Sequence, residues 1–223
     1  LKQGKLASEL SSFRPISLTS CIVKLLERMI AERLYYLAET MNWFNHQQAG
    51  FRKERSCEDQ IIRITQSIED GFQQKKMHSS VLVLLAFSKA YDTVWQQRIL
   101  LEMYAKGDPL PILRWLHAFL QNRQAKVMFN NCMSNSVTMR QGIPQRSVLS
   151  PLLFLFYINS LAELLPTANV NALFADDIGI LATARTIKEA EAKAKASVDI
   201  VARWSKEAKL SLNANKSECT VFT

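Results

Sequence analysis

Hydrophobic residues recur with helical spacing between residues 22 and 37, and again after Ser56 to about residue 74. This spacing predicts two amphipathic helices in the first third of the chain. The run 81–85 is instead continuously apolar and rich in strand formers, which predicts a central strand buried on both faces. Two further helices are predicted at 96–106 and 110–121.

The second half of the chain alternates hairpins with helices. Residues 124–129 and 136–140 flank a polar segment and predict one hairpin. A helix is predicted from Ser150 onward, because the proline that follows fits a first helical turn. Two apolar runs, 170–175 and 178–182, meet at an acidic pair and predict a second hairpin.

A capping box at Thr186 and Glu189 predicts a long amphipathic helix that ends near residue 209. The whole pattern is typical of the α/β (α+β) class, with helices packed on a mainly antiparallel sheet. We find no internal repeat or low-complexity tract in the sequence, which favours one continuous unit.

Composition narrows the kinds of partner. The 223 residues include 28 Lys and Arg against 20 Asp and Glu, a formal net charge of +8, which indicates an anionic partner.

The longest apolar runs, 81–87 and 152–158, are far too short to span a membrane. The spacing of the four cysteines fits neither a zinc site nor a disulfide framework, so we expect buried free thiols and an intracellular protein, nuclear or cytoplasmic.

Asp176 and Asp177 interrupt the second predicted hairpin, where an apolar strand would otherwise continue. Adjacent carboxylates repel each other, and this cost is tolerable if they lie in solvent or bind a divalent cation. Hard cations such as Mg²⁺ take carboxylate oxygens and keep positions for water and phosphate. From the spacing alone, both an acidic surface turn and a phosphoryl-transfer metal site stay open.

Several blocks around this pair resemble the reverse transcriptase domain of non-LTR (LINE-type) retrotransposons. In chain order they are FRPISL at 13–18 with Lys24, QAGFR at 48–52, FSKAYD at 87–92, GIPQ at 142–145 with SVLSP at 147–151, FADD at 174–177, and Trp204, Leu212, Asn213 and Lys216. Taken in this order and with this spacing, the blocks cover nearly the whole chain.

The resemblance implies a right-hand polymerase fold without its thumb, with fingers at 1–80 and a palm at 81–223 that carries a fingers-like insertion around 109–140. It implies an RNA-directed DNA polymerase that uses an RNA template, a DNA primer, deoxynucleotides and Mg²⁺, with Mn²⁺ as an alternative ion. The thumb and any endonuclease domain would belong to other parts of a longer polyprotein.

The resemblance also implies site residues in the palm. Asp176 and Asp177 would be metal ligands, and Lys216 would protonate the leaving pyrophosphate as a general acid. Tyr91 would exclude a ribose 2′-hydroxyl, with a core aromatic as the alternative. Phe87 belongs to the same nucleotide-binding block.

Further residues would contact the incoming nucleotide. Gln145 would contact both the nucleotide and the template. Arg14 and Lys24 would neutralise the triphosphate, although either could be an ordinary surface cation.

Two positions depart from the family pattern. Ala86 stands where the family has an aspartate at the end of the central strand, and a methyl group cannot ligate a metal ion. Asp92, six residues further on, lies beyond the strand end. Arg146 stands where the family has glycine, and it would either crowd the pocket or pair with a phosphate. We therefore expect polymerisation to be abolished or nearly so in this copy.

No acidic residue occurs between residues 109 and 162, whereas five cations do: Arg114, Arg123, Lys126, Arg140 and Arg146. This segment predicts an electrostatic track for nucleic-acid backbones, with a solvated basic face as the alternative. Three hypotheses stay open: a polymerase domain with residual activity, a catalytically dead domain that still binds nucleic acid, and a non-functional remnant.

Overall fold

The computed structural model describes residue 13 and residues 15–74, 78–129 and 131–223. The helices are α1 (Cys21–Thr40), α2 (Cys57–Phe72), α3 (Ala90–Thr93), α4 (Gln96–Ala105), α5 (Leu110–Leu120), α6 (Ser150–Leu164) and α7 (Ile187–Glu207). The strands are β1 (Ser79–Ser88), β2 (Arg123–Ala125), β3 (Met128–Phe129), β4 (Cys132–Met133), β5 (Val137–Met139), β6 (Val170–Phe174), β7 (Asp177–Ala184), β8 (Ser211–Leu212) and β9 (Glu218–Phe222).

The main sheet is antiparallel and has the order β6-β7-β1, with β8 and β9 both pairing with the far side of β1. The insertion between α5 and α6 folds separately, as the pair β2-β5 and the shorter pair β3-β4. These observations confirm the predicted α/β class, the antiparallel sheet and both hairpins.

Helix α6 forms the centre of the hydrophobic core. Every side chain from residue 152 to residue 158 is at most 1% exposed, and each fully buried large apolar side chain contributes about 1.5–3 kcal/mol to folding. Residues Leu85 and Phe87 of β1 join this core, because alternate residues of a strand share one face. None of the helices in the described ranges is long and apolar enough to cross a membrane.

The opposite face of β1 is only partly covered, so the prediction of burial on both faces is wrong. Helix α2 packs on this face near the start of the strand, where Gly71 lies against Thr183. Further along, Leu84 is 41% exposed. This open end of the sheet is the face that carries the acidic pair.

Side-chain caps mark the starts of α2 and α7, and both helices begin where they were predicted. Ser56 and Asp59 form a reciprocal capping box at the start of α2, and the Thr186 hydroxyl accepts from the Glu189 N–H at 3.2 Å. Such caps satisfy backbone donors that the helix leaves unpaired. The end of α7 lies at Glu207, two residues before its predicted position.

The cysteine prediction is half right. Cys21, Cys57, Cys132 and Cys219 are free thiols, but all four are exposed. Two of them begin helices, one lies in the β3-β4 hairpin and one lies on β9, and none of these places is covered by another layer.

Asp108, in the connection between α4 and α5, is a buried carboxyl without hydrogen bonds to offset its loss of hydration. It is 4% exposed, and neither of its side-chain oxygens has a hydrogen-bond partner. Burial raises the pKa of Asp108 to about 7. The folded state therefore holds a proton that the unfolded state releases near pH 4, and Asp108 lowers stability as pH rises from 4 to 7.

We predict that Asp108→Asn flattens the decline in stability between pH 4 and pH 7 by on the order of 2 kcal/mol. Urea unfolding followed by circular dichroism at several pH values measures this. Asp199→Asn, at an exposed position on α7, is the matched control and leaves the decline unchanged. An Asp108→Asn curve parallel to that of the parent chain would contradict the prediction.

Candidate active site

The acidic pair lies where β6 turns into β7. Phe174 pairs with Asp177 across a two-residue turn made of Ala175 and Asp176, so Asp177 is the first strand residue and only Asp176 lies in the turn. On its other side Asp177 pairs with Ala86 of β1. Opposed residues of antiparallel strands have Cβ atoms about 4.5–5.5 Å apart. The cross-strand neighbour of the Asp177 side chain is therefore a methyl group.

A groove of about 370 Å³ opens over this face of the sheet. Asp177, Ala86 and Lys216 line it together, and α2 forms one wall. Lys216 lies in a single 3₁₀ turn, Ala214–Lys216, that is held beside β1 because the Asn213 N–H donates to the Ala86 carbonyl at 2.8 Å. The structure thus brings two of the predicted catalytic residues to one groove.

Glu218 also lines this groove, although it was not among the predicted site residues. It pairs with Leu84 of β1, two residues before Ala86 on the same face of the sheet. No local pattern marks it, because its place depends on the register between β9 and a strand more than 130 residues earlier.

The acidic pair offers few protein ligands to a divalent cation. Within the described ranges, no group of three or more His, Cys, Asp or Glu side chains is arranged to hold a metal ion. Asp176 and Asp177 offer oxygens, and Mg²⁺ is commonly held by one or two carboxylates with waters and phosphates. Two metal ions bridged by carboxylates would need a further carboxylate from the neighbouring strand, where Ala86 lies. Asp176 and Asp177 therefore fit one cation and do not fit two bridged cations.

Tyr91 lies in α3, half-buried and close to the acidic pair. Its ring stacks on Phe154 of α6, with centroids 4.9 Å apart, and its hydroxyl has no hydrogen-bond partner. Burial raises the pKa of Tyr91, and the charges of Asp176 and Tyr35 raise it further. The hydroxyl therefore stays protonated, and it is buried without a hydrogen-bond partner.

Phe87 lies in the core and not in the groove. It is 4% exposed, and its ring centroid is 6.2 Å from that of Trp204 on α7. Because Phe87 and Ala86 are adjacent on β1, their side chains point to opposite faces of the sheet. Phe87 therefore belongs to the core cluster on which Tyr91 also packs, and it does not line the groove of Asp177 and Lys216.

Gln145 lies in the loop that leads into α6, where its Nε2 donates to Asp92 Oδ1 at 2.6 Å. The same loop packs closely on the backbone of Asp92 at Gly142. A Cβ added to Gly142 would lie 2.6 Å from the Asp92 carbonyl oxygen, and the φ of Gly142 is +78°. Asp92, in α3, therefore orients Gln145 and packs against this loop.

Arg146 follows Gln145 and is exposed, with a φ of +68°. This left-handed conformation costs a residue with a Cβ about 1–2 kcal/mol, whereas glycine adopts it freely. The backbone at residue 146 therefore suits a glycine, which is the residue that the resemblance implies at this position.

Glu27 anchors the same loop to α1, although sequence patterns did not single it out. It is 0% exposed, and its Oε2 accepts from the Ser147 hydroxyl at 2.5 Å and from the Val148 N–H at 2.9 Å. A buried carboxylate is costly without such partners. The contact joins residues 120 positions apart, and the only local hint is an acidic residue on the buried side of α1.

The predicted cations fall into different environments. Lys24 is exposed on α1, one turn before Glu27; Arg14 lies outside the described residues. Four members of the basic segment are exposed: Arg114, Lys126, Arg140 and Arg146. Arg123 is half-buried and donates to the Gly142 carbonyl at 3.1 Å; burial lowers its pKa, against the opposing charge of Asp92. Arg123 thus supports the loop from inside.

Comparison with known families and relatives agrees with this geometry. The family described as reverse transcriptase (RNA-dependent DNA polymerase) matches residues 1–221. The probable RNA-directed DNA polymerase from transposon BS of Drosophila melanogaster is 32% identical, covering 100% of this chain and 25% of the relative. The RNA-directed DNA polymerase from mobile element jockey of Drosophila funebris is 28% identical, again covering 100% and 25%. The chain spans about a quarter of the length of these relatives.

Solved structures share the fold at low sequence identity. An apo telomerase from Candida tropicalis, truncated from its C-terminal domain, has a TM-score of 0.65 at 12% identity, covering 90% of this chain and 40% of that one. A Candida albicans telomerase in complex with a fragment of telomeric RNA has a TM-score of 0.65 at 10% identity, covering 89% and 35%. These matches concern the fold alone.

We predict that Arg146→Gly stabilises the chain by up to about 1 kcal/mol. The release of left-handed strain exceeds the extra entropy that glycine brings to the unfolded state. Thermal or urea unfolding measures the change.

The matched control is Arg140→Gly, at an exposed arginine whose φ is not positive. We expect this control to lower stability, because glycine there gains only unfolded-state freedom. If the two substitutions shift stability in the same direction, the strain at residue 146 is not significant.

Proposed function

Because the chain belongs to the reverse transcriptase (RNA-dependent DNA polymerase) family, we propose that it forms the fingers and palm of an RNA-directed DNA polymerase of a non-LTR retrotransposon, and that this copy is catalytically impaired. The observation that carries the proposal is the pairing of Ala86 with Asp177 inside the groove that Lys216 also lines. Residues 1–80 act as fingers and 81–223 as palm, with the basic insertion at 109–140 extending the fingers side.

In this proposal Asp176 and Asp177 hold a divalent cation, Mg²⁺ or Mn²⁺. When bound, such an ion neutralises developing charge on the phosphates and activates the attacking hydroxyl. Ala86 leaves the neighbouring strand without an oxygen for a second ion. Loss even of groups that merely support a metal ligand costs 10–100-fold in affinity or activity, so loss of a ligand itself accounts for an impaired enzyme.

The remaining residues bind and orient the reactants. Lys216 lies exposed at the edge of the groove, where an ammonium can give a proton to pyrophosphate. Tyr91 keeps its hydroxyl protonated and lies near enough to Asp176 to feel its charge, and from there its ring excludes a 2′-hydroxyl. Asp92 holds the Gln145 amide in place for the nucleotide and the template. Lys24, on the side of α1 that faces this loop, neutralises the triphosphate.

Binding of nucleic acid without chemistry is the second candidate function. Four exposed cations lie on a segment that has no acidic residue, and phosphate contacts do not require the metal site. An RNA template paired with a DNA primer presents the polyanionic backbone that such a surface recognises.

We predict that Ala86→Asp restores primer extension on an RNA template with Mg²⁺, at least tenfold above the parent chain, because it supplies the missing carboxylate. The assay uses this chain and, in parallel, the transposon BS relative with this chain in place of its matching region. Ala86→Asn is the control of equal size and stays inactive. Robust extension by the unmodified chain would refute the proposed impairment.

We predict that the chain binds an RNA–DNA hybrid with an affinity that falls linearly with salt on logarithmic axes. Lys126→Gln and Arg140→Gln each make the slope of log affinity against log salt concentration shallower by about one. Fluorescence anisotropy at several salt concentrations measures this. Lys195→Gln, an exposed cation on α7, is the control and leaves the slope unchanged; a slope near zero for the parent chain would rule out a phosphate track.

A further inference from the structure

The segment 47–50 lies along the free edge of β6, just before the acidic turn. The Ala49 N–H donates to the Leu173 carbonyl at 2.9 Å, and the Leu173 N–H donates to the Gln47 carbonyl at 3.0 Å. Gln48 forms a parallel bridge with Leu173. The segment thus extends the sheet by one short strand and brings its own side chains next to Ala175.

The Gln48 side chain is 2% exposed and makes three hydrogen bonds in this place. Its Oε1 accepts from the Ala175 N–H at 2.9 Å and from the Gly50 N–H at 2.8 Å. Its Nε2 donates to the Ala175 carbonyl at 3.3 Å. Two donors on one side and a carbonyl on the other determine which amide atom is oxygen. The single buried amide of Gln48 therefore forms hydrogen bonds with both backbone polar groups of Ala175.

Ala175 needs such support because its φ is +56°. It is the first residue of a two-residue hairpin turn, a position that favours glycine when φ is positive. A residue with a Cβ holds this conformation only when the surroundings determine it. Asp176 is the next residue, so the direction in which its carboxylate points depends on the conformation at Ala175.

Gly50 and Arg52 make this support rigid. A Cβ added to Gly50 would lie 2.2 Å from the Ala175 nitrogen, so no side chain fits there. Arg52 forms a bidentate ion pair with Glu39 of α1, at 2.7 and 2.6 Å, and also donates to the Gln48 carbonyl at 3.2 Å. The loop is thereby locked to α1 on one side and pressed against the acidic turn on the other.

We propose that Gln48 is a positioning residue, which holds the Ala175–Asp176 turn in the conformation that presents the acidic pair to a divalent cation. This inference rests on the proposed function of that pair. The role of Gln48 is indirect, since its three hydrogen bonds go to backbone atoms and to no group that binds the ion.

The test uses Gln48→Met, which keeps an unbranched side chain and removes all three hydrogen bonds. The first readout is hydrogen exchange of the Ala175 amide by NMR, which needs neither metal nor catalysis. We expect exchange at least tenfold faster than in the parent chain. The second readout is the affinity for Mn²⁺ alone, by titration calorimetry in the Ala86→Asp background, where we expect at least a tenfold loss.

Asn171→Leu is the matched control. Asn171 is a fully buried amide on β6, the strand that leads into the turn, and its side chain donates to the Pro166 carbonyl at 2.9 Å. The control loses a comparable buried hydrogen bond without touching the turn, so neither readout changes beyond its effect on global stability.

A rescue separates positioning from general stability. Glycine adopts positive φ freely, so adding Ala175→Gly to Gln48→Met restores Mn²⁺ affinity to within about threefold of the Ala86→Asp parent. The same double variant carries the test if Gln48→Met does not melt cooperatively.

Unchanged exchange of the Ala175 amide in Gln48→Met would show that Gln48 does not hold the turn, and would overturn the proposal. Faster exchange with unchanged Mn²⁺ affinity would show that Gln48 holds the turn but does not position the acidic pair for a cation, which would also overturn it. If Ala86→Asp binds no Mn²⁺ with Gln48 intact, the proposed function of the acidic pair fails, and the exchange result still decides whether Gln48 holds the turn.

Discussion

The register between β1 and β7 is the constraint on which the chemistry of this chain depends. It places residue 86 opposite Asp177, at the end of eight consecutive residue pairs between the two strands. Buried side chains of β1 pack in the same core as α6 and fix this pairing. A one-residue slip would move the apolar face of β1 out of the core, so the register is strongly determined. The scaffold therefore brings position 86 to the acidic pair whether or not the residue there can bind a cation. The residue there is an alanine, whose methyl group offers no oxygen to a cation.

Long-range polar contacts hold the loops around this pairing. Glu27 ties α1 to the loop before α6, Asp92 holds Gln145, and Gln48 grips the turn that carries Asp176. Each contact satisfies a polar group that is buried or half-buried, and loss of one partner would leave the other unpaired at a cost of about 1–3 kcal/mol. The fold and the geometry of the groove are therefore stabilised by the same few side chains.

Local patterns predicted the secondary structure well, because the signals are themselves local. The capping residues Ser56 and Thr186 mark helix starts, and the apolar runs on either side of the acidic pair mark the hairpin. The exposure of Leu84 and of the four cysteines was not predicted, because it depends on how much of a surface α2 and the loops cover. The resemblance to reverse transcriptases supplied the positions of Asp177 and Lys216, which the structure brings to one groove. It could not supply Glu27 or Glu218, whose partners are set by tertiary contacts and strand register, and it included Phe87, whose place on β1 turns it into the core.

We propose that this chain has a reverse transcriptase palm whose metal site lacks one carboxylate at residue 86. A titration of Mn²⁺ into the parent chain, Ala86→Asp and Ala86→Asn tests it most directly, because it reports on the acidic pair without template, primer or neighbouring domains. We expect weak binding by the parent chain and by Ala86→Asn, and at least tenfold tighter binding by Ala86→Asp. Equal affinities for all three chains would contradict it, since residue 86 would then not belong to the metal site.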